Sequence, residues 1–278
     1  MVRCLQPPAR AQEPAGKDDA RMRTWIGALA VATLLASSGC NSLQYMETEE
    51  LWAHADAAFD AGRYGDAIPY YDEILSRSRE NARAYLFRGI SRERDSDALG
   101  AFRDYARAGD LGDPRGLLYR VDLALRSDDL AGATGDLGRL KDMGLRGRDR
   151  VAQLVLLATL RLKQNRPRLA AQNAERALRE GEALRDPGAE PFLASARYTA
   201  AHAYYRLGDF QRAYEHFDRY MSSPEARQSP TDHYLHGLLA YLAGDYVAAN
   251  EHLAQADPDL VDEAASILDD PSFGAGER

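Results

Sequence analysis

Glycine, aromatic, alanine and large apolar residues recur at fixed offsets in three segments of the chain. Residues 62–75, 208–221 and 244–257 each begin with a glycine, followed by an aromatic residue two positions later and an alanine three positions after that. A large apolar residue comes four positions after the alanine, which places the two on one face of a helix. Because glycine favours turns, each segment is predicted to be the second helix of an antiparallel hairpin.

The recurring alanine marks the point at which the two helices of a hairpin cross, because a small side chain lets the helices approach closely. Weaker copies lie between the clear ones, and the spacings are 34, 32, 37, 43 and 36 residues. The six predicted crossing positions are Ala67, Ala101, Ala133, Ala170, Ala213 and Ala249. A second small residue precedes the alanine by twelve positions in five units; in the third, Val121 stands there and is expected to loosen the hairpin.

This pattern resembles the tetratricopeptide repeat (TPR), a helix–turn–helix unit of about 34 residues. The resemblance implies an all-α fold, a TPR-type α-solenoid of about six helix–turn–helix repeats, and a short C-terminal capping helix near residues 259–268. We expect twelve helices between about residues 46 and 256, a solenoid over 48–270 and a flexible tail over 271–278. No segment alternates cleanly between apolar and polar residues, so no strand is predicted.

The N-terminal region has the pattern of a targeting signal. Two arginines precede a short apolar run over residues 25–36, which falls below the ~20 residues needed to span a bilayer. The run ends in Ser38, Gly39 and Cys40, which resembles the lipobox of bacterial lipoproteins, although Ser37 stands where that family usually has leucine. In that family the peptide is cut before the cysteine, which then carries the lipid.

The resemblance implies a signal peptide over residues 22–39, lipidation of Cys40 and a short linker over 40–47. Residues 1–21 are then a disordered or untranslated extension, with Met22 as an alternative start. Asn41, after the cysteine, suggests sorting to the outer membrane, facing the periplasm. Ala36 and Ser38 also fit cleavage by the ordinary signal peptidase, so a soluble periplasmic protein stays open.

In a TPR stack the first helices of the hairpins line a concave groove, and the resemblance implies that a partner protein binds there. Aromatic residues and arginines, which are enriched at binding hot spots, recur at the groove positions of these helices. The predicted partner-binding residues are Trp52, Phe59, Arg83, Phe87, Arg94, Arg115, Tyr119, Arg126, Tyr198, His202, Tyr205, Arg206, Tyr234 and Tyr241. We expect an extended or helical guest segment, with acidic residues facing the arginines; alternatively, several rings only cover the next repeat.

Composition and motifs narrow the function further. The net charge of −8 disfavours binding to nucleic acid, and the two cysteines, at positions 4 and 40, allow no disulfide framework. No phosphate-binding loop, nucleophile elbow or zinc motif is present, and His233 and His236 are too few for a metal site. The sequence therefore predicts no enzyme, no metal and no cofactor, but a lipid-anchored scaffold or adaptor for other envelope proteins. An adaptor for peptidoglycan enzymes, or a binder of cell-wall glycan, is the alternative.

Overall fold

A computed structural model describes residues 43–226 and 228–261, and their regular structure is helical throughout. Within these ranges a short 3-10 helix, Leu43–Tyr45, precedes twelve α-helices that form six hairpins. The hairpins are α1 (Thr48–Asp60) with α2 (Tyr64–Arg77), α3 (Ala82–Arg94) with α4 (Ala98–Asp110), α5 (Pro114–Arg126) with α6 (Leu130–Asp142), α7 (Gly147–Lys163) with α8 (Pro167–Leu184), α9 (Glu190–Arg206) with α10 (Phe210–Met221), and α11 (Pro230–Leu242) with α12 (Tyr246–Leu253).

Each helix packs chiefly against the helices before and after it in sequence, and α7 also contacts both α5 and α9 directly. The apolar core is therefore a row of local clusters, as in other solenoids in which each repeat buries its neighbour's face. The prediction of an all-α solenoid of six hairpins is confirmed.

The turn inside every hairpin contains one residue in the left-handed conformation, five positions before the crossing alanine. Three of these residues are glycines, of which Gly208 has φ +75°. In the other three hairpins the position is taken by Ser96, Asp128 and Asn165, with φ between 56° and 69°. In four hairpins an aspartate follows and its side chain accepts a backbone N–H of the next helix, as Asp97 does from Gly100 at 2.9 Å. The same turn thus recurs where the glycine signal is missing.

The six alanines are all buried, with at most 2% of their surface exposed. Large side chains fill the space one helical turn later, and Tyr71, Tyr105 and Phe217 are wholly buried there. The opposing first helix must also be small: a Cβ on Gly89 would lie 2.7 Å from the ring of Tyr105, closer than atoms pack. In the third hairpin Val121 is itself fully buried.

A second recurring contact links the two helices of a hairpin beside the crossing point. In the second hairpin Arg88 makes a two-pronged ion pair with Asp104, at 2.9 and 2.6 Å; the Asp104 side chain is buried and the Arg88 side chain is partly buried. Arg120 and Asp136 occupy the same positions in the third hairpin and pair in the same way. In the sixth hairpin these positions belong to two histidines.

Part of what the sequence predicts falls outside the described residues. Residues 258–261 are helical, and the rest of the expected capping helix, with the tail over 271–278, lies beyond them. The signal peptide, Cys40 and residues 1–21 also lie outside. Within the described ranges, every helix is too short or too polar to cross a membrane.

Candidate protein-binding groove

The first helices of consecutive repeats lie side by side and touch through the predicted groove residues. The rings of Phe59 on α1 and Phe87 on α3 meet edge to face, with centroids 5.2 Å apart. Further along, the Arg206 guanidinium on α9 donates a hydrogen bond to the carbonyl of Leu162 on α7 at 2.9 Å. Since side chains of neighbouring first helices reach one another, these helices form a continuous face from the first repeat to the fifth.

At the first repeat, this face carries an aromatic cluster built around one arginine. The Arg83 guanidinium lies 4.2 Å from the ring centroid of Trp52 and 5.5 Å from that of Phe87. It also pairs with the Asp56 carboxylate at 2.8 Å. Beneath it, Tyr71 packs against both rings. Much of the surface of these rings is used to join the first two repeats, as the alternative interpretation of the sequence anticipates.

At the second and third repeats the face is a network of charged groups. Glu93 on α3 accepts a hydrogen bond from the Tyr105 hydroxyl at 2.7 Å and pairs with Arg126 on α5. Arg126 pairs in turn with Asp122 at 3.0 Å. Tyr119 stacks on Tyr105, with ring centroids 5.3 Å apart. Glu93, which the sequence analysis did not select, is therefore one of the residues that link these two repeats.

Burial raises the pKa values of two groups in this network. Loss of solvation raises the pKa of the Asp122 carboxyl, although about half of the side chain is accessible. Loss of solvation also raises the pKa of Tyr119, whose ring is 41% exposed. Both groups are therefore reachable by solvent on one side and packed against protein on the other.

Most of the predicted groove arginines are already bonded within the chain. Arg83 and Arg126 have the carboxylate partners given above, and Arg115 pairs with Asp113 at 2.7 Å. Arg206 is held by a carbonyl oxygen. Among the described residues, Arg94 is the groove arginine without an ion pair or hydrogen bond, and its side chain is exposed. The groove therefore presents less free positive charge than its composition suggests.

At the fifth and sixth repeats the face is mainly aromatic. Tyr198, Tyr205 and Tyr241 are each 37–40% exposed. Tyr234, on the same helix as Tyr241, is half-buried. The ring of Tyr198 lies 4.5 Å from that of His202. Burial, followed by the charge of the nearby arginine on the same helix, lowers the pKa of His202, so its imidazole is neutral near pH 7. Its buried Nε2 has no hydrogen-bond partner.

His233 and His236, noted in the sequence, lie near His252 in the sixth hairpin, and His216 lies apart from them. His236 stacks on His252 of α12, with ring centroids 3.7 Å apart, and His216 contacts Glu175 at 3.0 Å. Across the described part of the chain, no group of three or more histidine, cysteine, aspartate or glutamate side chains could hold a metal ion.

The fold and this face define a TPR-type solenoid. No family model and no curated protein matches the sequence. Among solved structures, the one described as "Functional Characterization of Pseudomonas Aeruginosa pilF" aligns with a TM-score of 0.64 at 15% identity, covering 82% of this chain and 99% of the other. The crystal structure of PilW, a widely conserved type IV pilus biogenesis factor, aligns with a TM-score of 0.61 at 18% identity, covering 80% and 98%.

The crystal structure of the APC/C hetero-tetramer Cut9–Hcn1 also aligns, with a TM-score of 0.61 at 14% identity. The alignment covers 81% of this chain but 47% of that one, so this chain spans about half of its length. At these identities the likeness shows the fold alone, and the fold is that of the TPR proteins. The functions of these proteins do not transfer with it.

Proposed function

We propose that this chain is a lipid-anchored scaffold on the periplasmic face of the bacterial envelope, which binds a segment of another envelope protein along its first helices. The observation that carries the proposal is the continuous face of these helices, where partly exposed aromatic side chains line up beside a row of polar groups. Such a face offers large contact area at little entropic cost.

The bonding of the groove residues refines the expected guest. Because most groove arginines already have partners in the chain, an acidic guest would have to displace those partners, and Arg94 is left to meet a single carboxylate. The tyrosines of the fifth and sixth repeats and the neutral His202 suit apolar side chains and one uncharged hydrogen-bonding group. The proposed guest is therefore an extended or helical segment that is largely uncharged.

The anchoring part of the proposal is supported by the sequence around Cys40, and the envelope role by a structural neighbour. PilW is described as a type IV pilus biogenesis factor, which favours an accessory role in assembly or secretion for this chain too. A soluble periplasmic protein with the same groove is the alternative. Metabolic labelling decides between them: palmitate should be incorporated into the wild type and lost in Cys40→Ala, and an unlabelled wild type would rule out the anchor.

Site-specific photo-cross-linking tests the groove. A photoreactive amino acid replaces Tyr205 or Tyr241 on the proposed face, and Val247 serves as the control because it is 73% exposed and lies on the second helix of its hairpin. In living cells the two groove positions should give the same discrete adduct, and the control should not. Equal adducts at all three positions, or none at the groove positions, would count against groove binding.

A further inference from the structure

We propose that the N-terminal end of the solenoid, at the segment Leu43–Tyr45, is a surface that rests on the lipid bilayer, and that Arg77 fixes it there. This inference rests on the proposed lipidation of Cys40, and it goes further by assigning an orientation. A lipid anchor on a long linker would leave the solenoid free to tumble, whereas the structure holds the chain almost up to the anchor.

Arg77, the last residue of α2, holds the segment that precedes α1. Its guanidinium donates hydrogen bonds to the backbone carbonyls of Met46 at 2.7 Å, Leu43 at 2.9 Å and Gln44 at 3.1 Å. Its Nε is in turn oriented by Glu73 at 2.8 Å. Three carbonyls gathered by one guanidinium fix the path of the backbone, since arginine presents its donors in a rigid fork.

Apolar contacts reinforce this arrangement. Leu43 and Met46 pack against the core cluster of the first repeat, whereas Tyr45, between them, points outward and is 80% exposed. It is the most exposed of the large apolar side chains in the described ranges. Tyrosine prefers the membrane–water interface, where its ring meets the headgroup region and its hydroxyl meets water.

The reach of the chain then limits where the anchor can be. Three peptide units separate Cys40 from Leu43, and a fully extended chain spans at most about 3.6 Å per residue, so the two Cα atoms lie within roughly 11 Å and the lipid-bearing sulfur is only one short side chain further. This is less than the thickness of one repeat plus a headgroup layer. The first repeat is therefore held against the bilayer, and the later repeats project away from it.

The charge around this end selects the kind of bilayer surface. Glu47, Glu49 and Glu50 lie within five residues of Tyr45, at the N-cap and first turn of α1, and all three are exposed. An acidic turn is repelled by anionic headgroups, so the contact is with a zwitterionic surface. The aromatic end of the groove then faces away: Tyr241 lies five repeats further on, and helices pack 8–10 Å apart, so roughly 40 Å of stacked helices separates it from the membrane.

The test uses spin labels at the two ends of the full-length protein. Cys4 precedes the predicted cleavage site and the sulfur of Cys40 carries the lipid, so a cysteine introduced at Tyr45 or Tyr246 is the reactive thiol of the mature chain. The protein is produced in a bacterium, its lipid is verified by intact mass, and it is placed in phosphatidylcholine vesicles. Accessibility of each nitroxide to oxygen, which partitions into the bilayer, is compared with accessibility to a water-soluble nickel chelate.

The label at position 45 should favour oxygen, and the label at position 246 should favour the nickel chelate. Arg77→Gln should keep the lipid and the helical content but raise the mobility of the label at 45 and its access to nickel. Adding phosphatidylglycerol should not deepen the label. Gln44→Cys, at the neighbouring exposed position, repeats the measurement in case the substitution at 45 disturbs the segment.

The outcomes separate the two proposals. A lipidated protein whose labels at 44 and 45 are as open to nickel as the label at 246 would overturn the orientation and leave the anchor standing. A mature chain without lipid mass would overturn the anchor, and the membrane-contact surface with it.

Discussion

Acidification is expected to open the last hairpin of the solenoid, because two histidines occupy the place where other repeats have an ion pair. His236 and His252 stand where Arg88 and Asp104 attract each other in the second hairpin. The imidazole of His236 is 2% exposed and lies 3.7 Å from that of His252, ring centroid to centroid. The pair is stable while neutral, and a proton on either ring puts a charge into a poorly solvated contact.

The groups that face His236 from each neighbouring element do not remove this effect. On α10, the Asp218 carboxylate lies 3.3 Å from Nε2 of His236 but is half exposed, and the nearby ring of Tyr214 is uncharged. On α12, the neighbours are His252 and the more distant Glu251. His233 on α11 adds a further positive charge in acid. Burial above all, and then His252, lowers the pKa of His236 to about 4 despite Asp218.

The sign and size of the effect follow from the shifted pKa. The folded hairpin binds the proton less well than the unfolded chain, whose histidine pKa is about 6.5, so the stabilisation is complete above pH 6.5 and is lost as the pH falls toward 4. At pH 5 the loss from His236 alone is about 2 kcal/mol, and the lowered pKa of His252 adds to it. A terminal repeat, supported on one side, should respond locally before the whole solenoid unfolds.

Hydrogen exchange measured by mass spectrometry at pH 8 and pH 5, corrected for the intrinsic exchange rate, shows which segments of the chain lose amide protection. Peptides from 230–253 should lose protection in acid, and peptides from 98–126 should not. The double variant His236→Arg with His252→Asp rebuilds the pair of the second hairpin and should remove the acid sensitivity. His252→Gln, a milder change, should reduce it. Equal protection of the wild type at both pH values would refute the reasoning.

Three further predictions concern the repeat itself, each measured by urea unfolding. Ser96→Gly should stabilise the protein by about 1 kcal/mol, since Ser96 adopts φ 69° in a turn that other hairpins make with glycine; a loss of stability would contradict this. Gly89→Ala should destabilise the protein by about 1–3 kcal/mol because the new Cβ would collide with Tyr105. Gly138→Ala, with open space around the new Cβ, should be neutral or stabilising. Similar effects of the two substitutions would contradict the packing argument. Asp104→Asn should cost about 1–3 kcal/mol, because Arg88 and Arg92 lose a buried shared carboxylate but keep the half-exposed Asp72, and a cost below about 0.5 kcal/mol would contradict this.

The repeat could be predicted because it depends on contacts between residues that are close in sequence. A small residue where helices cross and a large one a helical turn later satisfy steric requirements within a single hairpin, so sequence spacing reveals them. The left-handed turn position was visible in the three copies with glycine. It was hidden in the others, because serine, aspartate and asparagine occur at many places that do not need φ above zero.

The sequence predicts where the groove residues lie, but not which of them are already bonded to other groups in the protein. Phe59, Tyr205 and Tyr241 each lie eight residues before a crossing alanine, which places them on one face. Glu93 also lies eight residues before a crossing alanine, and this spacing could have identified Glu93 as a groove residue. Which groups bond to one another depends on distances between separate repeats. Arg126 meets Glu93 across 33 residues of sequence, so its charge is taken up by the protein and not offered to a guest.

The histidines show the same division between sequence and structure. Spacing of three on one helix linked His233 with His236 as possible partners, but in the folded chain His236 stacks on His252 of the next helix. The sequence alone determined the helices, their pairing and the faces they present, because these follow from local sterics and periodicity. Tertiary structure alone decided which charges cancel, which rings are covered and which imidazoles touch, because electrostatic and packing energies depend on separations of a few ångströms that the order of residues does not encode directly.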